Sequence, residues 1–167
     1  MLTLALGFPI LGLALMLQMV AARTLNLLYG SADIVMLMII AWVLQKKSTN
    51  SWDWALIGGI FVGGVSALPL YVPIVSYLFV AGFAKIFQKR VWQTPILAMF
   101  FITGVGSLVY QFISVFGLQI AGVPLIWGPS IRMVILPSVL LNLLLAFPVF
   151  ALVTNFSGWL HPHEVEE

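Results

Sequence analysis

The 167-residue sequence contains no cysteine and very little charge. Without cysteine the chain cannot form a disulfide, a thiolate metal site or a thiol nucleophile. Charged residues make up only 7% of the chain, whereas soluble domains carry about 25%. So few charges cannot cover a soluble globule, and 62% of the residues are hydrophobic. The composition therefore predicts an all-α integral membrane protein.

Apolar runs long enough to cross a membrane recur along the chain. A spanning helix needs about 20 mostly apolar residues, and the sequence predicts six such helices in a single transmembrane domain. They cover residues 3–22, 27–45, 53–68, 70–88, 94–117 and 131–156. The first run has no basic residue before it and is too long for a signal-peptide core, so we expect a retained helix. Residues 157–167 follow as a short acidic tail. The predicted fold is a six-transmembrane-helix bundle.

The basic residues fall mainly on one side of this predicted bundle. The loops after the second and fourth helices contain Lys46, Lys47, Lys85, Lys89 and Arg90. The opposite side has only Arg23 and Arg132. Because cytoplasmic loops are enriched in Lys and Arg, both termini are predicted to be cytoplasmic. All six tryptophans lie at predicted helix ends, which is typical of aromatic belts at the membrane surface. Seven basic residues spread in this way form no nucleic-acid-binding patch.

The last predicted helix contains an unusual stretch, LPSVLLNLLLAFPVF (136–150). Its helix-breaking and polar residues are Pro137, Ser138, Asn142 and Pro148. The prolines are spaced to share one face, and each frees the carbonyl four residues earlier, at Met133 and Leu144. In lipid these carbonyls and the amide need partners. Three interpretations stay open, namely contacts inside the bundle, a kinked polar face that docks a partner helix, and a ligand site.

A second stretch, IGGIFVGGVSALP (57–69), presents a face of small residues. Gly59 and Gly63 form a GxxxG pattern, and Ser66 extends it. Small residues let the backbones of two membrane helices approach closely. The pattern is compatible with packing inside the bundle and with association with a partner or a second copy of the chain.

Ionisable side chains are scarce at membrane depth. Asp33 is the one carboxylate predicted there, and it could pair with Arg23 or Arg132 near the outer helix ends. His161 and His163 lie in the tail, outside the predicted bilayer, so no metal site is expected. One carboxylate without a buried histidine does not assemble an acid–base or nucleophilic site. The sequence therefore predicts a protein that is not an enzyme and holds no cofactor.

Three stretches together resemble a known family. They are ADIVMLMIIAWVL (32–44), IGGIFVGGVSALPLYVPIVSYL (57–78), which a basic loop follows, and ILPSVLLNLLLAFPVFAL (135–152). Over essentially its whole length the chain resembles the rod shape-determining protein MreD family. Many members carry an acidic residue in the glycine-rich stretch, where this chain has GGVSALP. A role of that acid therefore does not transfer to this sequence.

The resemblance implies a non-enzymatic, multi-pass scaffold in the bacterial inner membrane. It would belong to the cell-wall elongation complex, and this complex determines cell shape. The implied partners of the scaffold are membrane lipid and the transmembrane segment of MreC. Through MreC they extend to the peptidoglycan synthases, RodA and a class B penicillin-binding protein. The implied fold is similar to the six-helix S-component of vitamin transporters.

An alternative follows from the same length and helix count. The chain could be the substrate-binding S-component of an energy-coupling-factor vitamin transporter, although it lacks the AxxxA pattern common in the first helix of such proteins. In that case Gln18, Tyr110 and Gln111 would be candidate ligand contacts.

Overall fold

The structure is a computed structural model that describes residues 2–24, 29–45, 50–88, 94–123 and 127–160. This part of the chain is all-helical, in agreement with the predicted class. Its elements are α1 (Leu2–Thr24), α2 (Ile34–Val43), α3 (Ser51–Val65), α4 (Tyr71–Gln88), α5 (Pro95–Ile120), α6 (Trp127–Ser130), a π-helical turn (Ile131–Ile135) and α7 (Leu136–Leu160).

Within the described ranges, four helical segments are long and apolar enough to cross a membrane. They are Leu6–Thr24, Tyr71–Gln88, Pro95–Ile120 and Gly128–Trp159. The other two helices, α2 with 10 residues and α3 with 15, are apolar but shorter than a full span. These lengths and compositions are those of a multi-pass membrane protein. Six complete spans and cytoplasmic termini stay predictions.

The shortest of the six main helices, α2, lies at the centre of the bundle. Its sequence, IVMLMIIAWV, is apolar on every side, which is typical of a helix surrounded by other helices. Accordingly α2 contacts α1, α3, α4, α5 and α7, and most of its residues are buried. The predicted helix over 27–45 is wrong in its first part, because residues 29–33 are not helical and α2 begins at Ile34. Residue 27 lies outside the described residues.

Two of the six tryptophans belong to this core and not to an aromatic belt. The rings of Trp42 and Trp54 are stacked with centroids 4.4 Å apart, and both side chains are buried. The interfacial interpretation is therefore wrong for this pair. Trp52 and Trp159 are exposed. Trp92 and the side chain of Trp127 lie outside the described part of the chain.

Helices α3 and α4 form a hairpin that packs through the small-residue face. A Cβ atom on Gly59 would lie 2.7 Å from Cα of Ile74, and one on Gly63 would lie 2.6 Å from Cδ1 of Leu70. Gly59 therefore faces α4 of the same chain, and Gly63 faces Leu70, which immediately precedes α4. Ser66 follows α3, and its Oγ accepts a hydrogen bond from the N–H of Leu68 at 3.3 Å. Of the two interpretations of this face, packing inside the bundle is the arrangement observed.

The helices near the C-terminus extend further than predicted. α5 continues to Ile120 and α6 adds a helical turn, so the link predicted over 118–130 is shorter. α7 reaches Leu160, inside the segment predicted as a tail. Several predictions concern residues outside the described ranges, namely the loop charges Lys46, Lys47, Lys89 and Arg90 and the tail histidines His161 and His163.

The hairpin contact predicts a difference between two neighbouring glycines. We expect Gly59→Ala to lower the free energy of unfolding by about 1–3 kcal/mol, because the added methyl group would press on the backbone of α4. Gly64→Ala is the matched control, since nothing lies within 4 Å of its added Cβ. Unfolding in mixed micelles with increasing SDS, followed by circular dichroism, measures both. Equal stability of the two variants would contradict this packing.

Candidate functional site

The start of α2 is held by two polar side chains. A helix begins with backbone N–H groups that have no partner within the helix, and lipid offers no water to bind them. Asp33 is the N-cap residue, and its Oδ1 accepts the N–H of Met36 at 3.0 Å. Gln18 of α1 supplies Oε1, which accepts the N–H of Val35 at 3.0 Å. Asp33 therefore sets the first turn of α2 and ends the non-helical stretch before it.

The stretch before α2 is fixed to α7 by two further side chains. The N–H of Asp33 donates to Oδ1 of Asn142 at 2.7 Å, and the N–H of Ser31 donates to Oγ of Ser138 at 3.1 Å. Nδ2 of Asn142 donates in turn to Oγ of Ser107 on α5 at 2.9 Å. Asn142 thus links α2, α5 and α7. The amide and the hydroxyl predicted as a docking face make their hydrogen bonds inside the chain.

A backbone contact satisfies the carbonyl that Pro137 frees. The N–H of Tyr29 donates to the carbonyl oxygen of Met133 at 3.1 Å. Gly30 lies so close to α7 that an added Cβ would be 2.6 Å from Cβ of Pro137 and 2.7 Å from N of Ser138. A neighbouring helix or a polar side chain was the expected partner of this carbonyl. Its partner is instead the backbone N–H of Tyr29, in the non-helical stretch before α2.

The two prolines of α7 have different surroundings. Pro137 is buried and is the second residue of α7, two positions after the π-helical turn ends at Ile135. Such turns occur where the regular hydrogen-bond ladder of a helix is interrupted, and they are frequent at functional sites. Pro148 is exposed on the outside of the bundle. Only Pro137 therefore belongs to the contact with the non-helical stretch.

Asp33 is buried against a tyrosine and not against an arginine. Oη of Tyr77 on α4 donates to Oδ1 of Asp33 at 2.6 Å. The other oxygen, Oδ2, is buried and has no hydrogen-bond partner among the described residues. Arg23 and Arg132 are exposed. The predicted pairing of Asp33 with one of these arginines is therefore not what the described part of the chain contains.

Six side chains hydrogen-bond either to the backbone of residues 31–36 or to one another, and we call this set the polar junction. Its members are Gln18, Asp33, Tyr77, Ser107, Ser138 and Asn142. They come from the helices or caps of α1, α2, α4, α5 and α7. Three of these side chains, on other helices, accept backbone N–H groups of the non-helical stretch or the first turn of α2, while Oδ2 of Asp33 stays unpaired among the described residues. Among the described residues no group of three or more His, Cys, Asp or Glu could hold a metal ion.

A cavity of about 350 Å³ lies beside the junction. The C-terminal halves of α1, α3 and α5 surround it, together with Ser31 and the π-helical turn. More than half of its lining residues carry a hydroxyl or amide side chain. Gln18, Tyr110 and Gln111, the residues that the transporter alternative assigns to a ligand, all line it.

Three residues of the site were not predicted from the sequence in these roles. Tyr77 is a tyrosine inside an apolar helix, and its buried hydroxyl needs a partner. Asp33, the one carboxylate expected at that depth, was the available acceptor, so the pair could have been inferred. Ser107 is a small residue in an apolar run, and nothing in the sequence indicates its bond to Asn142. Gly30 gave no signal, because its role depends on how closely α7 approaches.

The polar junction predicts the effect of removing its central amide. Asn142→Leu keeps the side-chain size but leaves the N–H of Asp33 and the hydroxyl of Ser107 without this partner. We expect it to lower the free energy of unfolding by about 1–3 kcal/mol, because a buried polar group without a partner has lost its hydrogen bonds to water and gained none in the protein. Asn155→Leu, at an exposed position of the same helix, should change little. SDS titration of both variants is the measurement. Similar midpoints would contradict the role of Asn142.

The close approach of Gly30 predicts a further effect on stability. Gly30→Ala should destabilise the bundle by about 1–3 kcal/mol, because the methyl group meets both the ring of Pro137 and the backbone of α7. Gly12→Ala on α1 is the control, since its Cβ would make an ordinary 3.9 Å contact with Phe61. Thermal unfolding in detergent compares the two. A wild-type midpoint for Gly30→Ala would show that the two segments are not in contact.

No protein-family model, no curated protein and no solved structure matches the chain.

Proposed function

We propose that this chain is a non-enzymatic membrane scaffold of the bacterial cell-wall elongation complex. It would bind the transmembrane segment of MreC in the inner membrane and link it to the peptidoglycan synthases, RodA and a class B penicillin-binding protein. One observation supports this best. The residues that carry the resemblance to the MreD family, although far apart in sequence, meet in the packed interior of the bundle.

Each of the resembling stretches contributes to this interior. Asp33 comes from the first stretch and Asn142 from the last, 109 residues later, and the two are hydrogen-bonded. Gly59 and Gly63 from the middle stretch hold α3 against α4. The shared pattern thus coincides with residues that specify a framework. Proteins that share these residues are expected to share the shape of the bundle. A scaffold binds its partners through such a shape.

The outside of the bundle leaves apolar helix surfaces for a partner. On α1 the side chains of Leu13, Met16, Leu17 and Val20 are exposed. In lipid, association of two helices depends on van der Waals packing and on hydrogen bonds between them, because lipid tails are as apolar as the side chains. Each polar side chain of the junction already makes a hydrogen bond within the chain, although Oδ2 of Asp33 has no partner among the described residues. We therefore propose that MreC packs against an apolar helix surface.

The absence of native cysteine makes this proposal directly testable. Single cysteines at Leu13, Ile60, Phe112 and Leu152, all exposed, sample the surfaces of α1, α3, α5 and α7. Each is combined in bacterial membranes with a series of single cysteines in the MreC transmembrane segment. We expect oxidation to cross-link MreC to one surface with a helical pattern. Met99→Cys is the control, because Met99 is fully buried.

The same experiment reports on other partners. Cross-links between two copies of the chain would show that the chain also forms a homodimer through that surface. Purification in mild detergent with mass spectrometry supplies the second readout. Recovery of MreC with the synthases supports the proposal. If energy-coupling ATPases were recovered and no cysteine position cross-linked to MreC, the scaffold proposal would be wrong.

A second candidate function is favoured by the cavity. Gln18, Tyr110 and Gln111 surround a space of a size that small ligands occupy in proteins, about 300–1,000 Å³. A substrate-binding S-component of a vitamin transporter would need such a space. A vitamin extracted in stoichiometric amount from the purified chain would favour this function over the scaffold.

A further inference from the structure

The cavity beside the polar junction concentrates polar side chains in a chain that has few of them. Ser66, Gln111 and Ser114 line it together with Gln18 and Ser31. Apolar residues, among which are a valine of α3 and a leucine of α5, complete the wall. A wall of this mixed kind fits a ligand with a partly apolar skeleton and several hydrogen-bonding atoms.

The charge of the lining restricts the ligand further. None of the described residues that line the cavity is Asp, Glu, Lys, Arg or His. Arg132, in the adjacent π-helical turn, is exposed and is not one of them. A phosphate or carboxylate placed in this wall would lose its hydration without gaining an opposite charge. Hydroxyls and amides, in contrast, bind uncharged hydroxyl and carbonyl groups well.

We propose that this cavity binds an uncharged molecule rich in hydroxyl or carbonyl groups. Such chemistry occurs in the head of a neutral membrane lipid and in a free compound that enters from the aqueous side. The proposal does not rest on the scaffold function, since a scaffold that binds MreC and one that does not can both hold such a molecule.

Two residues connect the cavity to the centre of the bundle. Gln18 lines it and also accepts the N–H of Val35, while Ser31 lines it and donates its backbone N–H to Ser138. A bound molecule therefore touches residues that hold the start of α2. Occupancy should protect the N–H of Val35 from hydrogen exchange, because Gln18 is then held in one position.

The experiment uses the full chain in phosphatidylcholine nanodiscs and a photoreactive alkyl glucoside as probe. This probe has an uncharged head with several hydroxyls on an apolar tail. Mass spectrometry identifies the labelled peptides. Competition with octyl glucoside, methyl glucoside and octyl phosphate tests the whole amphiphile, the head alone and an anionic head on the same tail. We expect labelling of the α5 segment 110–118 that octyl glucoside suppresses and octyl phosphate does not.

The competitors separate the two sources of the ligand. Suppression by methyl glucoside as well would identify the site as one for a free polar compound, whereas suppression by octyl glucoside alone would identify it as a lipid-head site. Labelling that no glucoside suppresses, or that octyl phosphate suppresses equally, would overturn the proposal. Labelling confined to exposed residues of α5 such as Phe116 would also do so, since these lie outside the cavity.

A pair of adjacent residues supplies matched variants. Gln111→Leu removes a lining amide, and we expect the half-saturating probe concentration to rise about fivefold, roughly the equivalent of one net hydrogen bond. Phe112→Leu, exposed on the same helix, should change it by less than about twofold. Both variants are first compared with wild type by thermal unfolding. If Gln111→Leu does not fold, Ser114→Ala replaces it as the cavity variant. An unchanged half-saturating concentration in the folded cavity variant contradicts the proposal.

Discussion

The structure depends on one constraint, which is that backbone groups inside a lipid bilayer must find their hydrogen-bond partners within the protein. The non-helical stretch 29–33 and the first turn of α2 would otherwise leave several N–H groups unpaired, each at a cost of several kcal/mol. Tyr29, Ser31, Asp33, Val35 and Met36 each donate a backbone N–H to a group of the same chain, and four of these five acceptors lie on α1 or near the start of α7. The polar side chains of the junction lie where these N–H groups need acceptors.

Much of the architecture follows from the sequence, because membrane helices are set by the length and composition of apolar runs. The fold class, the number of main helices and the approximate positions of α1, α3, α4 and α5 follow from these runs. The start of α2 does not, because the apolar run continues through Gly30 and Ser31. Only the contact with α7 shows that the residues before α2 are not helical. The stacked Trp42 and Trp54 were misassigned for a related reason. A tryptophan near a helix end is compatible with both an interface and a core, and only packing distinguishes the two.

The candidate site was predictable in part. Ser138, Asn142 and the carbonyl freed by Pro137 needed partners, and the sequence indicates that need without naming Ser31, Asp33 or Tyr29 as the groups that meet it. Distances between segments that are far apart in the chain carry that information. The proposed scaffold and the proposed ligand cavity use different parts of the same molecule. The first uses the apolar outer surfaces and the second an open cavity lined by both polar and apolar residues, which the junction borders through Gln18.

The order of synthesis gives the junction a further consequence. Ser31 and Asp33 leave the ribosome long before Ser138 and Asn142, which follow them by 107 and 109 residues. Until α7 enters the membrane, the start of α2 lacks its partners there, so the early helices cannot settle in their final positions at bilayer depth. The polar contacts of this stretch are thus completed only when α7 packs against it. A chain interrupted before that helix keeps unpaired polar backbone that quality-control proteases can recognise.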